Sequence, residues 1–332
     1  MKQVIKNYLA RRMVQKKKAD EPDIVVLEQK HENLLQQNFN DSIYFTGLSE
    51  NGFSFVTRQA FRTGKPAENW LKIEIPGEGV WGFQDMKLKT GEGFRQGDLI
   101  YSCPEPGEIW NIAYDGPVFQ GDKKQEIHLR LEWDSDLPVA DFNQVGTTPE
   151  RVAQQIAKEK WNKTFFQKLK EIHKVHYEQA GHFHGIITWK GKEQLVFLKG
   201  FRDHSFGIRH WDDWERHLWL LGRLDDGTFF NISIISYTFI KELTAGFCWD
   251  GRRYLTIKQI PSFDEVGFVT PLPEKLQFTV HHPDGHRIPV TVEMKTFFPF
   301  VMDNVYFIRQ AKAIITWEGK KGIGLAEMGV KQ

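Results

Sequence analysis

Arg202, Asp203 and His204 stand side by side in the run GFRDHSFGIRHWDDWERHLW (200–219), which also holds Arg209 and the rings Phe201, Phe206, Trp211, Trp214 and Trp219. A histidine next to a carboxylate can give or take a proton near neutral pH when its surroundings place its pKa there. His204 and Asp203 are therefore candidate acid–base groups. Beside Arg202 or Arg209 a buried Asp203 would stay ionised as a structural pair. Away from them, among rings, it would rise in pKa and could donate. Phe206, Trp211 and Trp219 would line an apolar cavity and stabilise positive charge on a substrate. Side chains alternate along a strand, so Arg202, His204 and Phe206 share one face while Phe201, Asp203 and Ser205 share the other. Only one of Asp203 and His204 can then face a cavity, unless a bulge at Gly200 or Gly207 intervenes. A buried polar network that merely holds sheets together would use the same residues.

Other patterns carry less chemistry. His173, His176, His182 and His184 cluster in HKVHYEQAGHFHG, but no carboxylate or cysteine spacing completes a known metal pattern, so no metal is expected. GEGVWG (77–82) matches G-x-G-x-x-G, yet the following FQDMKLKTGEGF reads as a hairpin and not a helix, which leaves turn glycines. No G-x-S-x-G elbow occurs. Cys103 and Cys248 are far apart and suggest neither a disulfide framework nor a zinc site. No cofactor is expected.

Composition narrows the class. The 44 basic and 43 acidic residues leave a formal charge of +1, which argues against nucleic acid as a partner. Aromatic residues reach 14%, enough for large packed or ligand-facing ring surfaces. No apolar run has the roughly 20 residues of a membrane span, and MKQVIKNYLARRMVQKKK lacks the apolar core of a secretory signal, so a cytoplasmic location is expected. In that stretch Val4, Ile5, Tyr8, Leu9 and Met13 recur at helical spacing and the first acid is Asp20. Such a basic amphipathic helix can lie on an anionic membrane, or it can be a frayed tail.

The elements that must position these residues are mostly strands. Residues 43–50, 52–62, 69–75, 98–103, 108–114 and 126–133 alternate between turn signals, and a second β-rich series runs from HGIITWKG to VYFIRQAKAIITWEG. Thr148-Pro149-Glu150 starts a helix, with apolar residues on one face to Val175 and Gly181 beyond. The expected fold is mainly β: two antiparallel barrel or sandwich domains joined through one long helix near 148–179. The expected boundaries are a tail (1–37), a first β domain (38–146), a linking helix (147–180) and a second β domain (181–332).

The run Arg202-Asp203-His204-Ser205-Phe206-Gly207 with Arg209, the triplet Tyr177-Glu178-Gln179 and the late GIGLAE (322–327) together resemble the two-domain lipocalin-like (calycin-like) superfamily. It includes carotenoid 1,2-hydratases, tocopherol cyclase, fungal Diels–Alderases, a sphingolipid-carrier branch and uncharacterised members. The resemblance implies a deep apolar cavity for an isoprenoid, polyketide or lipid, handled without a redox cofactor. It adds Glu327 to His204 and Asp203 as a catalytic candidate, and Tyr177 to the ligand-binding set of Arg202, Phe206, Arg209, Trp211 and Trp219. The hydratases place a carboxylic acid on the strand soon after the histidine motif, whereas FFNISIIS offers Asn231 and Ser233 there. Two functions remain: a cofactor-free cyclase, hydratase or isomerase, and a non-catalytic lipid carrier.

Overall fold

A computed structural model describes residues 3–14, 23–88, 91–172 and 175–332. His173 and residues 15–22 of the basic tail lie outside the described residues. The chain divides into two compact units. One takes the described residues of Pro22–Val139 and Lys174–Arg209, the other those of Met1–Glu21, Ala140–His173 and His210–Gln332.

The first unit contains α2 (Ile24–Leu27), β1 (Phe39–Leu48), β2 (Ser54–Arg62), β3 (Ala67–Ile75), β4 (Gly79–Leu88), β5 (Arg95–Gln96), β6 (Leu99–Glu105), β7 (Ile109–Gln120) and β8 (Lys123–Ser135). After an excursion it resumes with β10 (Val175–Trp189) and β11 (Lys192–Ile208). The antiparallel order β4–β3–β2–β1–β11–β10–β8–β7 closes into a barrel where Gly82 of β4 meets Phe119 of β7. Alternation sends one face of every strand inwards. Phe45, Phe55, Trp110, Trp133 and Phe183 fill the interior, with Phe183 edge-on to Phe55 at 5.0 Å and to Trp133 at 5.2 Å. Gly181 and Gly200 face each other across β10 and β11 because a Cβ on either would lie within 2.7 Å of the Trp133 ring. Gly200 thus makes room for a ring rather than a bulge. Gly77 lies in the β3–β4 turn and Gly79 opens β4, so this glycine run leads into a strand and not a helix.

The intervening elements are β9 (Ala140–Asp141), α3 (Pro149–Lys158) and α4 (Lys163–Glu171). Thr148 caps α3 by accepting from the Arg151 N–H, and Pro149 opens the helix, as the sequence predicts. The expected single helix is nevertheless two. Asn162 accepts from the Phe165 N–H and starts α4 afresh, and by Val175 the chain is already strand. The second unit adds α1 (Gln3–Met13), β12 (Trp214–Leu224), β13 (Phe229–Tyr237), β14 (Leu243–Trp249), β15 (Tyr254–Thr256), β16 (Lys275–His281), β17 (Arg287–Met302), β18 (Tyr306–Trp317) and β19 (Lys320–Lys331). Their order β15–β14–β13–β12–β19–β18–β17–β16 closes where Gln259 bridges His281. Leu218, Leu220, Phe230, Ile232, Ile315 and Trp317 fill this barrel.

The expected domain boundaries shift accordingly. Residues 181–208 complete the first barrel, because β11 pairs with β1 and β10 with β8. Residues 23–37 are not tail. Leu27 and Glu28 are buried in the first unit, at 7% and 3% exposure. Helix α1 does form, and it docks by a mixed face: Gln3 donates to Ala157 O at 3.0 Å, Lys6 donates to Glu159 O, and Ala10 with Val14 packs against the cluster of Ala153, Ile156 and Ala157. Val4, Ile5, Tyr8, Leu9 and Met13 are left exposed. No helix among the described residues is long and apolar enough to cross a membrane.

Candidate functional site

The chemistry-bearing residues gather into two networks, one in each unit. In the first barrel, Arg202 and His204 of β11 stand opposite Phe45 and Ile43 of β1, both core residues, so the two side chains point inwards. The alternation expected of the strand holds. Arg202 forms a two-pronged ion pair with Glu28, its nitrogens 2.5 and 3.1 Å from the carboxylate oxygens, and its Nε donates to Gln179 at 2.7 Å. His204, fully buried, contacts Asp41 Oδ1 through Nε2 at 2.6 Å and the Tyr177 hydroxyl through Nδ1 at 2.7 Å. Phe206 stacks on His31, ring centroids 3.7 Å apart.

Proton accounting fixes the donor at one end of this network. Tyr177 Oη lies 2.8 Å from the carbonyl of Leu27, which can only accept, so the single phenol proton is committed there. Nδ1 of His204 must then donate to the phenol oxygen. Asp41 Oδ2 accepts the His31 N–H at 2.7 Å. One proton lies between Nε2 and Asp41 Oδ1, and on the ring it makes His204 an imidazolium against a buried carboxylate. Burial opposes that charge, but Asp41, by proximity and by hydrogen bond, outweighs it and raises the His204 pKa. Burial also pushes the Tyr177 phenol well above its usual range. Every polar atom of His204 is spent on holding the segment 27–31, and both Asp41 and Glu28 come from far upstream in the chain.

Asp203 faces the opposite way and is 9% exposed. It pairs with His176 at 2.5 Å, and His176 also lies 3.5 Å from the buried Glu178. Arg209 donates to Ser205 Oγ at 3.0 Å. Of the two alternatives the sequence left open for Asp203, pairing with an arginine or a place among rings, neither describes its contact with His176.

The second network lies on the outer face of the second barrel. Leu218 and Leu220 of β12 turn inwards, so His217 and Trp219 turn out. His217 contacts the Tyr306 hydroxyl through Nδ1 at 2.7 Å and Glu327 Oε1 through Nε2 at 2.6 Å, and Gln310 Nε2 donates to Glu327 Oε2 at 2.5 Å. With Glu327 ionised, Nε2–H donates to it and Nδ1 accepts from Tyr306, a single file of protons pointing at the carboxylate. Burial, with the Glu327 charge, holds the Tyr306 phenol well above its usual range, so it stays a donor. Gly329 permits the arrangement: a Cβ there would sit 2.3 Å from His217 Cε1 and 2.5 Å from Tyr306 Cε1. Trp211 stacks on Tyr306 at 5.5 Å and Trp214 meets His217 edge-on at 5.4 Å.

Both units thus carry a tyrosine–histidine–carboxylate chain, with the phenol on Nδ1 and the carboxylate on Nε2. They differ at the carboxylate end. The Asp41 side chain is sealed at 0% exposure, whereas that of Glu327 is 13% exposed. Register aligns Gln310, Glu327, Trp219 and Ser233 in one row across β18, β19, β12 and β13, and Ser233 donates to the buried Asn231 at 2.9 Å. Of the sequence candidates, the structure brings Glu327, Trp219, Asn231, Ser233 and Trp211 onto the second unit, and Arg202, His204, Phe206, Tyr177, Asp203 and Arg209 onto the first. Glu28, Asp41, His31, His217, Tyr306 and Gln310 are the partners that sequence reasoning missed. His217 lay in the opening run, but nothing local marks a phenol 89 residues away.

With this geometry in hand, comparison with known proteins is informative. No curated protein matches the sequence significantly. Among solved structures the chain is similar to a protein assigned as AttH from Nitrosomonas europaea, with a TM-score of 0.60 at 12% identity over 87% of this chain and 92% of that one. It is similar to CghA, crystallised with Sch210972 (TM-score 0.52, 8% identity, 89% and 88% covered), and to kievitone hydratase from Nectria haematococca (0.53, 9%, 92% and 94%). What is shared at such identities is the two-barrel fold, which meets the lipocalin-like expectation drawn from the RDHSFG run. The sequence model described as a domain of unknown function, DUF7064, matches residues 26–332, and the chain belongs to that family.

Proposed function

We propose that the protein binds an extended hydrophobic small molecule, an isoprenoid, polyketide or lipid, and transforms it by cofactor-free acid–base chemistry with Glu327 as the group that moves the proton. The supporting observation is the Tyr306–His217–Glu327 file, which ends in a partly exposed carboxylate beside Trp219. A carboxylate so placed can take a proton from a substrate carbon and return it elsewhere, which is isomerisation. Protonated, it can start a cyclisation or hydration, with the Trp219 ring against the cation. That one neighbour in fold is named as a hydratase and another was crystallised with a small molecule fits this reading. In this reading His204 and Asp203, paired with Asp41 and His176, hold structure and do not move the proton.

One observation favours a carrier instead: Arg202 and His204 are wholly engaged in holding the segment 27–31. Native mass spectrometry of protein from its own cells tests the shared part of both readings. We expect a co-purified hydrophobic molecule whose occupancy falls about tenfold in Trp219→Ala, the loss of roughly one ring contact. Protein that emerges empty and takes up no isoprenoid or lipid in vitro would sink both.

Helix α1 extends the proposal to an anionic membrane as partner. Its apolar row, Val4, Ile5, Tyr8, Leu9 and Met13, faces away from α3, and Arg11, Arg12 and the sequence lysines 16–18 supply the charge. The full chain is expected to co-sediment with vesicles of mixed phosphatidylserine and phosphatidylcholine and to be released by salt. Tyr8→Glu with Leu9→Glu should abolish binding, and equal binding to neutral vesicles would contradict the charge argument.

A further inference from the structure

The strands β8 and β10 run antiparallel with His182 opposite Asp134 and His184 opposite Glu132. Phe183 and Trp133 point into the barrel, so these four side chains stand together on its outer face, joined by Asp136 just beyond β8. One oxygen is shared. Asp134 Oδ2 lies 2.9 Å from His184 Nδ1 and 3.5 Å from His182 Nε2. The other nitrogen of each ring goes elsewhere: His182 Nδ1 to Asp136 at 3.0 Å, His184 Nε2 to Glu132 at 3.5 Å.

We infer that His182, His184 and Asp134 form a binding site for a divalent transition-metal ion of the Zn²⁺ type. A metal would take the tautomers with each ring proton on the nitrogen facing Asp136 or Glu132. That leaves two ring lone pairs and a carboxylate lone pair converging on one spot, an arrangement that a cation relieves. Ligand atoms of one donor each from the three residues all lie within 4.8 Å of one another. The two closest spacings, 2.9 and 3.5 Å, bracket the edge of about 3.3 Å of a tetrahedron with metal–ligand distances of about 2.0–2.1 Å. Asp136 and Glu132 supply what metal-bound histidines usually have, a carboxylate on the far nitrogen that fixes tautomer and ring orientation. The histidines stand in the middle of β10 and Asp134 at the carboxyl end of the paired β8, which presents the ligands from regular backbone. Its third edge is open, and the fourth coordination position would be water or an exogenous ligand.

The hairpin trio His282, Asp284 and His286 is the internal comparison. There Asp284 Oδ1 already accepts the His286 N–H and contacts the His286 ring at 2.7 Å, and the three come from a turn. Titration of the full chain with Zn²⁺, followed by calorimetry, and with Co²⁺, followed by its visible d–d bands, tests the site. One equivalent is expected to bind with micromolar affinity. His182→Ala, His184→Ala and Asp134→Asn should each weaken it at least about tenfold, and Asp136→Asn about 10–100-fold, the usual worth of an outer partner. The variants should keep the far-ultraviolet circular dichroism and melting temperature of the parent, since the side chains are 25–47% exposed. His282→Ala with His286→Ala should leave the titration unchanged. Binding that survives His182→Ala and His184→Ala, or is lost in the hairpin variant instead, overturns the assignment. So does the absence of saturable binding below about 1 mM.

Discussion

His204→Ala is expected to cost about 3–5 kcal/mol of stability and to leave chemistry per folded molecule unchanged, because it strands the Asp41 carboxylate in a sealed interior. For a chain this long that loss corresponds to a fall of roughly 10 °C in melting temperature. Glu28→Ala, which strands Arg202, should behave alike. The pH profile identifies the pair. The His204 pKa is raised above the ordinary histidine value of 6.5, burial opposing the charge and Asp41 prevailing. The folded state therefore holds a proton that the unfolded state releases. Its contribution is complete below 6.5 and is lost as pH rises through the raised value. His31 has the opposite sign: burial lowers its pKa, so its contribution is complete above 6.5 and is lost as pH falls through the lowered value. Denaturant midpoints measured from about pH 5 to about pH 9 should decline on both sides for the parent. In His204→Ala the alkaline decline should vanish while the acid one stays. An unchanged alkaline limb would mean that His204 carries no proton in the folded protein.

Glu327→Gln is expected to lower turnover by about 10²–10⁴-fold, the usual worth of a positioned acid or base, with ligand occupancy and melting temperature close to the parent. The amide keeps the shape, and Gln310 can turn to accept from it, so hydrogen bonding survives while the proton carrier is gone. The ligand extracted from this variant should be the untransformed one, differing from that in the parent by one water for a hydratase, or by retention alone for an isomerase. Gly329→Ala reaches the same file by another route, through its clash with His217 and Tyr306, and should lose both turnover and stability. If Glu327→Gln and the parent hold the same molecule and neither changes an added candidate lipid, the protein carries its ligand and does not transform it.

Much of the fold was legible because its strands alternate. The period of two correctly separated Arg202, His204 and Phe206 from Asp203 and Ser205. What stayed hidden was pairing at a distance. Asp41 lies 163 residues from His204 and Glu28 lies 174 from Arg202, and no local pattern joins them. The two-helix excursion was hidden differently. At about 100° per residue the apolar positions Val152 and Ile156 lie roughly half a turn from Phe165, Leu169 and Ile172, a phase shift at Asn162, whose side chain caps α4, that reading 148–179 as one face passed over. The carboxylate of Glu327 was legible only as part of GIGLAE, and its phenol and imidazole partners were not legible at all.

The first barrel closes late in synthesis. Ser42 of β1 pairs with Ser205 of β11, and between them the chain departs at Val139 for the other unit. At about 5–20 residues per second, a ribosome that has made β1 needs roughly 10–30 s more to deliver β11. Through that interval the hairpin of β1 and β2 presents an unpaired backbone edge, which is a template for another nascent chain. The same long separations predict slow spontaneous refolding, since distant pairings must overcome loop-closure entropy before they gain contacts. A cell making this protein therefore has a window in which that open edge lies exposed to chaperones and to other nascent chains.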